Sequence, residues 1–175
     1  MNRVAAWLLL HERRLFCFFN QKIHHRILDY LFGAVTHLGG AALSIILALC
    51  CAVFAEGSLR QAGIQSCVAL AASHIPVAVM KKKFPRLRPY LVVPDAHTCK
   101  NPLTDPSFPS GHTTAIFSIA VPLALIHPLL AAVMIPLACL VALSRIYLGL
   151  HYPSDCLAGC VIGAVTGLSA VAFFG

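Results

Sequence analysis

Three polar blocks interrupt an otherwise apolar chain: Lys81 through Arg88-Pro89, then Pro109-Ser110-Gly111-His112, then Ser144-Arg145 through His151 to Asp155. Together they hold what metal-free cleavage of a phosphate ester needs: cations for the non-bridging oxygens, a nucleophile, and an acid for the departing oxygen. Lys81, Arg88 and Arg145 supply positive charge, and both arginines can fork onto a phosphate. Ser110 and Gly111 precede a helical pattern, so their backbone N–H groups and the helix dipole favour an anion there. Gly111 also lets that anion approach closely. Asp155 follows His151 by four residues. If that segment runs on into a helix, the carboxylate reaches one ring nitrogen and leaves the other free to attack phosphorus. His112 then protonates the leaving oxygen and later activates water.

Such chemistry requires the blocks to meet, and the apolar stretches between them decide whether they can. The 175 residues are 59% hydrophobic and 11% charged, with mean hydropathy +0.82, against about 45–50% apolar and about 25% charged in soluble domains. The expectation is an all-α, polytopic transmembrane bundle forming a single domain over 1–175, because an open strand edge in lipid would leave backbone groups without partners. Five spans are expected, near 38–55, 62–80, 115–126, 129–147 and 157–174. Residues 1–26 set Trp7, Leu8, Leu15 and Phe16 against Arg13, Arg14 and Lys22, the pattern of an amphipathic helix in the headgroup region. Gly39-Gly40 separate a short helix from the first span. Between His112 and His151 the chain crosses twice and returns to the face it left. Residues 81–112 then form an active-site loop, and 144–155 a second catalytic segment, at one membrane surface. Gly159, Gly163 and Gly167 make a small-residue stripe for close helix packing. Asp155 begins that stripe, so its carboxylate is expected to face protein.

The three blocks satisfy, position for position, a three-part signature: lysine, six residues, Arg-Pro; Pro-Ser-Gly-His; Ser-Arg, five residues, His, three residues, Asp. In this the chain resembles the type 2 phosphatidic acid phosphatase (PAP2) superfamily. The resemblance implies a phosphohistidine intermediate on His151, with His112 as acid and base. It implies phosphate binding by Lys81, Arg88, Ser110, Gly111 and Arg145, and no metal or other cofactor. Short bacterial members similar to this chain act on undecaprenyl and other polyprenyl diphosphates, or on phosphatidylglycerol phosphate. The implied partners are therefore a lipid phosphate substrate and membrane lipids, in a multi-pass protein of the bacterial plasma membrane. A polyprenyl diphosphate leads, with phosphatidylglycerol phosphate or phosphatidic acid as alternatives.

Other functions fit less well. The formal charge of +7 does not point to nucleic acid, because the basic residues form two clusters, 3–26 and 81–100, without a stripe of interleaved aromatics. Eight cysteines without a CxxC pair read as small buried hydrophobes. The soluble vanadium-dependent haloperoxidases share this type of anion site but not the apolar spans. A small anion transporter would show paired discontinuous helices in related halves. Lys82, Lys83 and Arg86 fit no signature position and read as headgroup contacts or topology determinants. Asp95, Lys100 and Asp105 border the substrate entrance or form a solvated loop. His37 and His74 fall at membrane depth, where polar groups usually face the protein interior. Five spans put nearly every lysine and arginine except Arg60 on the catalytic side, which the positive-inside tendency places in the cytoplasm; the resemblance implies the opposite, since family members acting on recycled carrier lipid usually face outward.

Overall fold

A computed structural model describes residues 3–99 and 102–174, and every regular element among them is helical. Helix α1 (Arg3–Cys17) ends in a π turn, Phe18–Lys22; α2 (Arg26–Val35) runs through a 3-10 turn, Thr36–Gly39, into α3 (Ala41–Phe54). Then come α4 (Gly57–Lys83), a short α5 (Pro89–Val92), α6 (Gly111–Ile126), α7 (Pro128–Tyr147) and α8 (Pro153–Phe174). The starts and stops follow local chemistry. Ser110 caps α6 by accepting from the Thr113 backbone N–H, and His127 caps α7 ahead of Pro128 at its first turn. Phe84, held out of the helical region by Pro85, ends α4.

Among the described residues, helices α4, α7 and α8 are long and apolar enough to cross a membrane, and α2 with α3, bent by 56°, makes up to four if the bent pair is one broken span and not a re-entrant loop. Helix α6, one of the five expected spans, has 16 residues and reaches only about 24 Å at 1.5 Å per residue, short of a hydrocarbon core of about 30 Å. Its position explains the length. Helices α4, α7 and α8 and the 3-10 turn surround α6, and Ile116, Phe117, Ile119 and Ala120 are buried in the resulting core. A helix sheathed by protein has no lipid thickness to match.

Small residues let the backbones close in. A Cβ at Gly163 would come within 2.4 Å of the Thr114 carbonyl oxygen, and one at Gly159 within 2.6 Å of the Ser110 carbonyl, so the α8 stripe is the α6 contact. Gly39 lies equally close to the His112 carbonyl, at 2.6 Å, which presses the α2–α3 bend against the start of α6. At the far end, a Cβ on Gly63 would sit 2.3 Å from the Ala52 amide nitrogen. Helices α3 and α4 are therefore pinched together there and spread toward the opposite face. The N-terminal segment is more firmly seated than a headgroup helix needs. Trp7, Leu8, Leu9 and Leu15 face outward, but Phe16 packs with Val93, Ile146 and Cys156. Buried Asn20 donates to the carbonyls of His97 (2.8 Å) and Tyr147 (2.7 Å) and accepts from the His97 N–H (2.9 Å).

Candidate active site

The sharp turn after α7 places the third block. Gly149, at φ +73°, takes a left-handed conformation that favours glycine, and a Cβ there would lie 2.2 Å from the His97 carbonyl. The turn folds the chain back so that the N–H groups of Leu150 and His151 both donate to the Arg145 carbonyl, each at 3.1 Å. His151 is thereby buried, at 1% exposure. Its Nε2 accepts from Arg88 Nη1 at 3.2 Å; since a guanidinium can only donate, that nitrogen carries the lone pair and Nδ1 the proton. Burial pushes the His151 imidazole down to about 4; the Arg145 and Arg88 charges push the same way, and Asp155 opposes them.

Asp155 lies 3.7 Å from His151 Nδ1, longer than a hydrogen bond, and Nδ1 has no hydrogen-bond partner among the described residues. The carboxylate is engaged elsewhere. Oδ2 accepts from the Tyr152 N–H at 2.8 Å and from the Ser107 hydroxyl, while Oδ1 accepts from Arg86 Nη1 at 2.8 Å. The expected carboxylate–imidazole pair is therefore loose, because three other donors hold the carboxylate.

Arg88 and Arg145 are buried guanidiniums with opposite degrees of satisfaction. Arg88 donates to the carbonyls of Leu150 and Asp105 and to Asp105 Oδ1, each at 2.8 Å. Arg145 donates one bond, to Thr36 Oγ1 at 2.6 Å, and its Nε and Nη2 have no partner among the described residues. Unpaired N–H groups on a buried cation are costly, and an anion is the natural complement. Lys81 Nζ donates to the Pro106 carbonyl at 2.8 Å and to Asp105.

A cavity of about 830 Å3 has Lys81, Arg88, Asp105, Gly111, His112 and His151 in its wall. The rest of its lining runs between α3 and α4 and is largely apolar: Ala41, Ile45, Ala48, Leu49, Leu70, Val77 and their neighbours. A Cβ on Gly111 would meet nothing within 4 Å, so the space above that glycine is the cavity itself. Arg145 borders a second cavity of about 420 Å3, with Thr36 and His37; the two spaces share His112 and Leu103 in their walls. Ser110 and Asp155 stand behind the wall, the Ser110 N–H donating to the Asp155 carbonyl at 3.0 Å. His74 lines the larger cavity and His37 the smaller.

Four contributors escaped the sequence reading. Arg86, read as a headgroup contact, instead grips Asp155 and also donates to Glu12 Oε2 (2.7 Å) and Ser154 Oγ (2.8 Å), with its guanidinium 3.9 Å from the Tyr152 ring centroid. Glu12 reaches from α1 to accept from the Ser154 N–H at 3.1 Å, at the start of α8. Ser107 and Thr36 complete the set, bonding Asp155 and Arg145. Asp105 is no solvated bystander: it bridges Lys81 and Arg88. Burial works against its charge, but those two cations hold the carboxyl below the usual range. Lys100 lies outside the described residues.

The sequence matches the PAP2 superfamily over residues 62–175. It is 33% identical to an undecaprenyl-diphosphatase of Sulfolobus acidocaldarius over 106 residues, which are 60% of this chain and 52% of that protein; the chain thus spans about half of that relative's length. Aquifex aeolicus LpxE superposes with a TM-score of 0.81 at 28% identity, covering 91% of this chain and 93% of that one. A transmembrane PAP2-type phosphatidylglycerolphosphate phosphatase from Bacillus subtilis superposes with a TM-score of 0.76 at 22% identity, over 95% and 85% of the two chains, a likeness of fold.

Proposed function

The chain belongs to the PAP2 superfamily, and on that premise we propose that it is an integral-membrane lipid phosphatase. Its substrate on this reading is a polyprenyl diphosphate of the undecaprenyl type, in a bacterial plasma membrane that α3, α4, α6, α7 and α8 cross while α1 lies among headgroups. The carrying observation is the single cavity that begins at Lys81, Arg88, His112 and His151 and continues as an apolar slot between α3 and α4. Ile45, Leu49 and Ala71 in its wall are exposed, so the slot opens sideways, where a lipid tail remains in the bilayer while its phosphate reaches the cations. The match to the Sulfolobus undecaprenyl-diphosphatase supports the diphosphate headgroup.

In the proposed reaction the His151 Nε2 lone pair attacks the terminal phosphorus. The bond from phosphorus to the bridging oxygen breaks, and His112 gives its proton to the departing lipid phosphate. Arg88, Lys81, the Gly111 N–H and the free Nε and Nη2 donors of Arg145 take up the charge on the equatorial oxygens. Water then attacks the phosphohistidine, His112 takes its proton, and orthophosphate leaves with His151 restored.

A second reading, phosphatidylglycerol phosphate, is favoured by His74 in the wall of the slot; a polyprenyl chain offers its ring N–H no acceptor, whereas diacylglycerol esters do, and the neighbouring Ser44 and Ser73 hydroxyls already donate to the Leu38 and Leu70 carbonyls. Purified protein in detergent, with a chelator present, should release orthophosphate from undecaprenyl diphosphate faster than from phosphatidylglycerol phosphate or phosphatidic acid. The reverse order favours the second reading, and release that persists in His151→Ala overturns the mechanism.

A further inference from the structure

Asp105 stands inside the cation cluster, in the wall of the cavity that holds both imidazoles. One carboxylate oxygen accepts from Arg88 Nη2 at 2.8 Å and the other from Lys81, while its carbonyl accepts from Arg88 Nε at 2.8 Å. Its contacts are those that a bound phosphate's oxygens would make. We propose that Asp105 is an internal counter-anion that a substrate phosphate must displace, and that it thereby sets a charge threshold on what enters the site.

Lys81 and Arg88 both donate to one carboxylate. An incoming anion gains their donors only by releasing Asp105, whose side chain is 48% exposed and needs only to turn toward water. A phosphodiester lipid brings a single negative charge, so it replaces one monoanion by another and gains little. A terminal phosphate brings nearly two charges at neutral pH and gains at both cations and at the unpartnered N–H groups of Arg145. Discrimination by an occupant that weak competitors cannot dislodge is selection against the wrong ligand. A site open to the bilayer needs it, since phosphodiester headgroups surround it at high concentration.

The proposal rests on the phosphatase reading only for the kind of anion, so it is tested by binding. Equilibrium binding of inorganic phosphate to full-length protein in detergent is compared among wild type, Asp105→Asn and Asp105→Glu, all in a His151→Ala background without turnover. The amide keeps the shape but not the charge, so Asp105→Asn should bind phosphate about tenfold tighter or more, the size of one charged hydrogen bond released. Asp105→Glu should return toward wild type. In the His151-containing protein, added phosphatidylglycerol should inhibit Asp105→Asn and leave wild type unaffected. If Asp105 merely positions Lys81 and Arg88, Asp105→Asn binds phosphate more weakly; unchanged or weakened binding overturns the proposal. Should phosphate tighten while no lipid phosphate is hydrolysed by wild type, the function fails and the counter-anion stands.

Discussion

Arg86→Met removes a guanidinium without emptying the space its stem fills, and the structure sets what that costs. Three donor contacts disappear: to Asp155 Oδ1 at 2.8 Å, Glu12 Oε2 at 2.7 Å and Ser154 Oγ at 2.8 Å. They are unequal. Asp155 is fully buried, so its charge loses its ion pair with no water to replace it, and breaking a buried pair costs about 3–5 kcal/mol. Glu12 is 12% and Arg86 27% exposed, which tempers their pair, and exposed Ser154 adds little. Because Asp155 keeps its bonds from Ser107 and Tyr152, the lower figure applies, about 3 kcal/mol of stability. Arg86 does not line the catalytic cavity. Its loss should therefore lower kcat, through a misplaced His151, by about tenfold or more, and leave KM within about twofold. Thermal unfolding in detergent and steady-state kinetics measure the two effects, and Glu12→Gln on top of Arg86→Met should add almost nothing. A variant with normal stability and a raised KM would show that Arg86 meets the lipid headgroup and would refute this account.

Acid should act through His151. With its imidazole pushed down to about 4, the nucleophile is neutral above that pH, so the acid limb that His151 contributes to kcat/KM should centre near 4; an acid limb centred near 6.5 refutes the burial argument. The glycines separate packing from access. Gly163→Ala, whose Cβ would lie 2.4 Å from the Thr114 carbonyl, should lose about 1–3 kcal/mol of stability, while Gly111→Ala should keep its stability and raise KM by narrowing the phosphate seat; equal stability of the two would contradict the close α6–α8 contact. The excess of basic residues on the catalytic side predicts a cytoplasmic site. In intact cells an impermeant thiol reagent should then fail to label Cys99 in a variant where every other cysteine is replaced, and strong labelling reverses the orientation.

Much of the architecture was legible because periodicity and punctuation report local geometry. Gly39-Gly40 marked the bend between α2 and α3, and the glycine repeat marked the α8 face that meets α6. Residues of all three polar blocks, Lys81, Arg88, Gly111, His112 and His151, line one cavity, and Arg145 borders the second. What stayed hidden was support by residues outside any motif. Arg86 and Glu12 are 74 residues apart, and no spacing rule links a charge in one loop to a helix that many residues away. Asp105 was visible as a loop acid, but nothing in its neighbours tells a carboxylate in water from one lodged between Lys81 and Arg88. The length of α6 was not legible for a different reason: apolar composition reports burial, and protein buries a helix as well as lipid does.

Because α3 and α4 touch at Gly63, the slot between them ends blind there. Gly63 lies 18 residues before Lys81 on α4, or about 27 Å along the axis at 1.5 Å per residue. A hydrocarbon tail longer than this cannot thread through and must slip out between the two helices. The protein then grips only the first few units of a chain, and its turnover should be indifferent to how many follow.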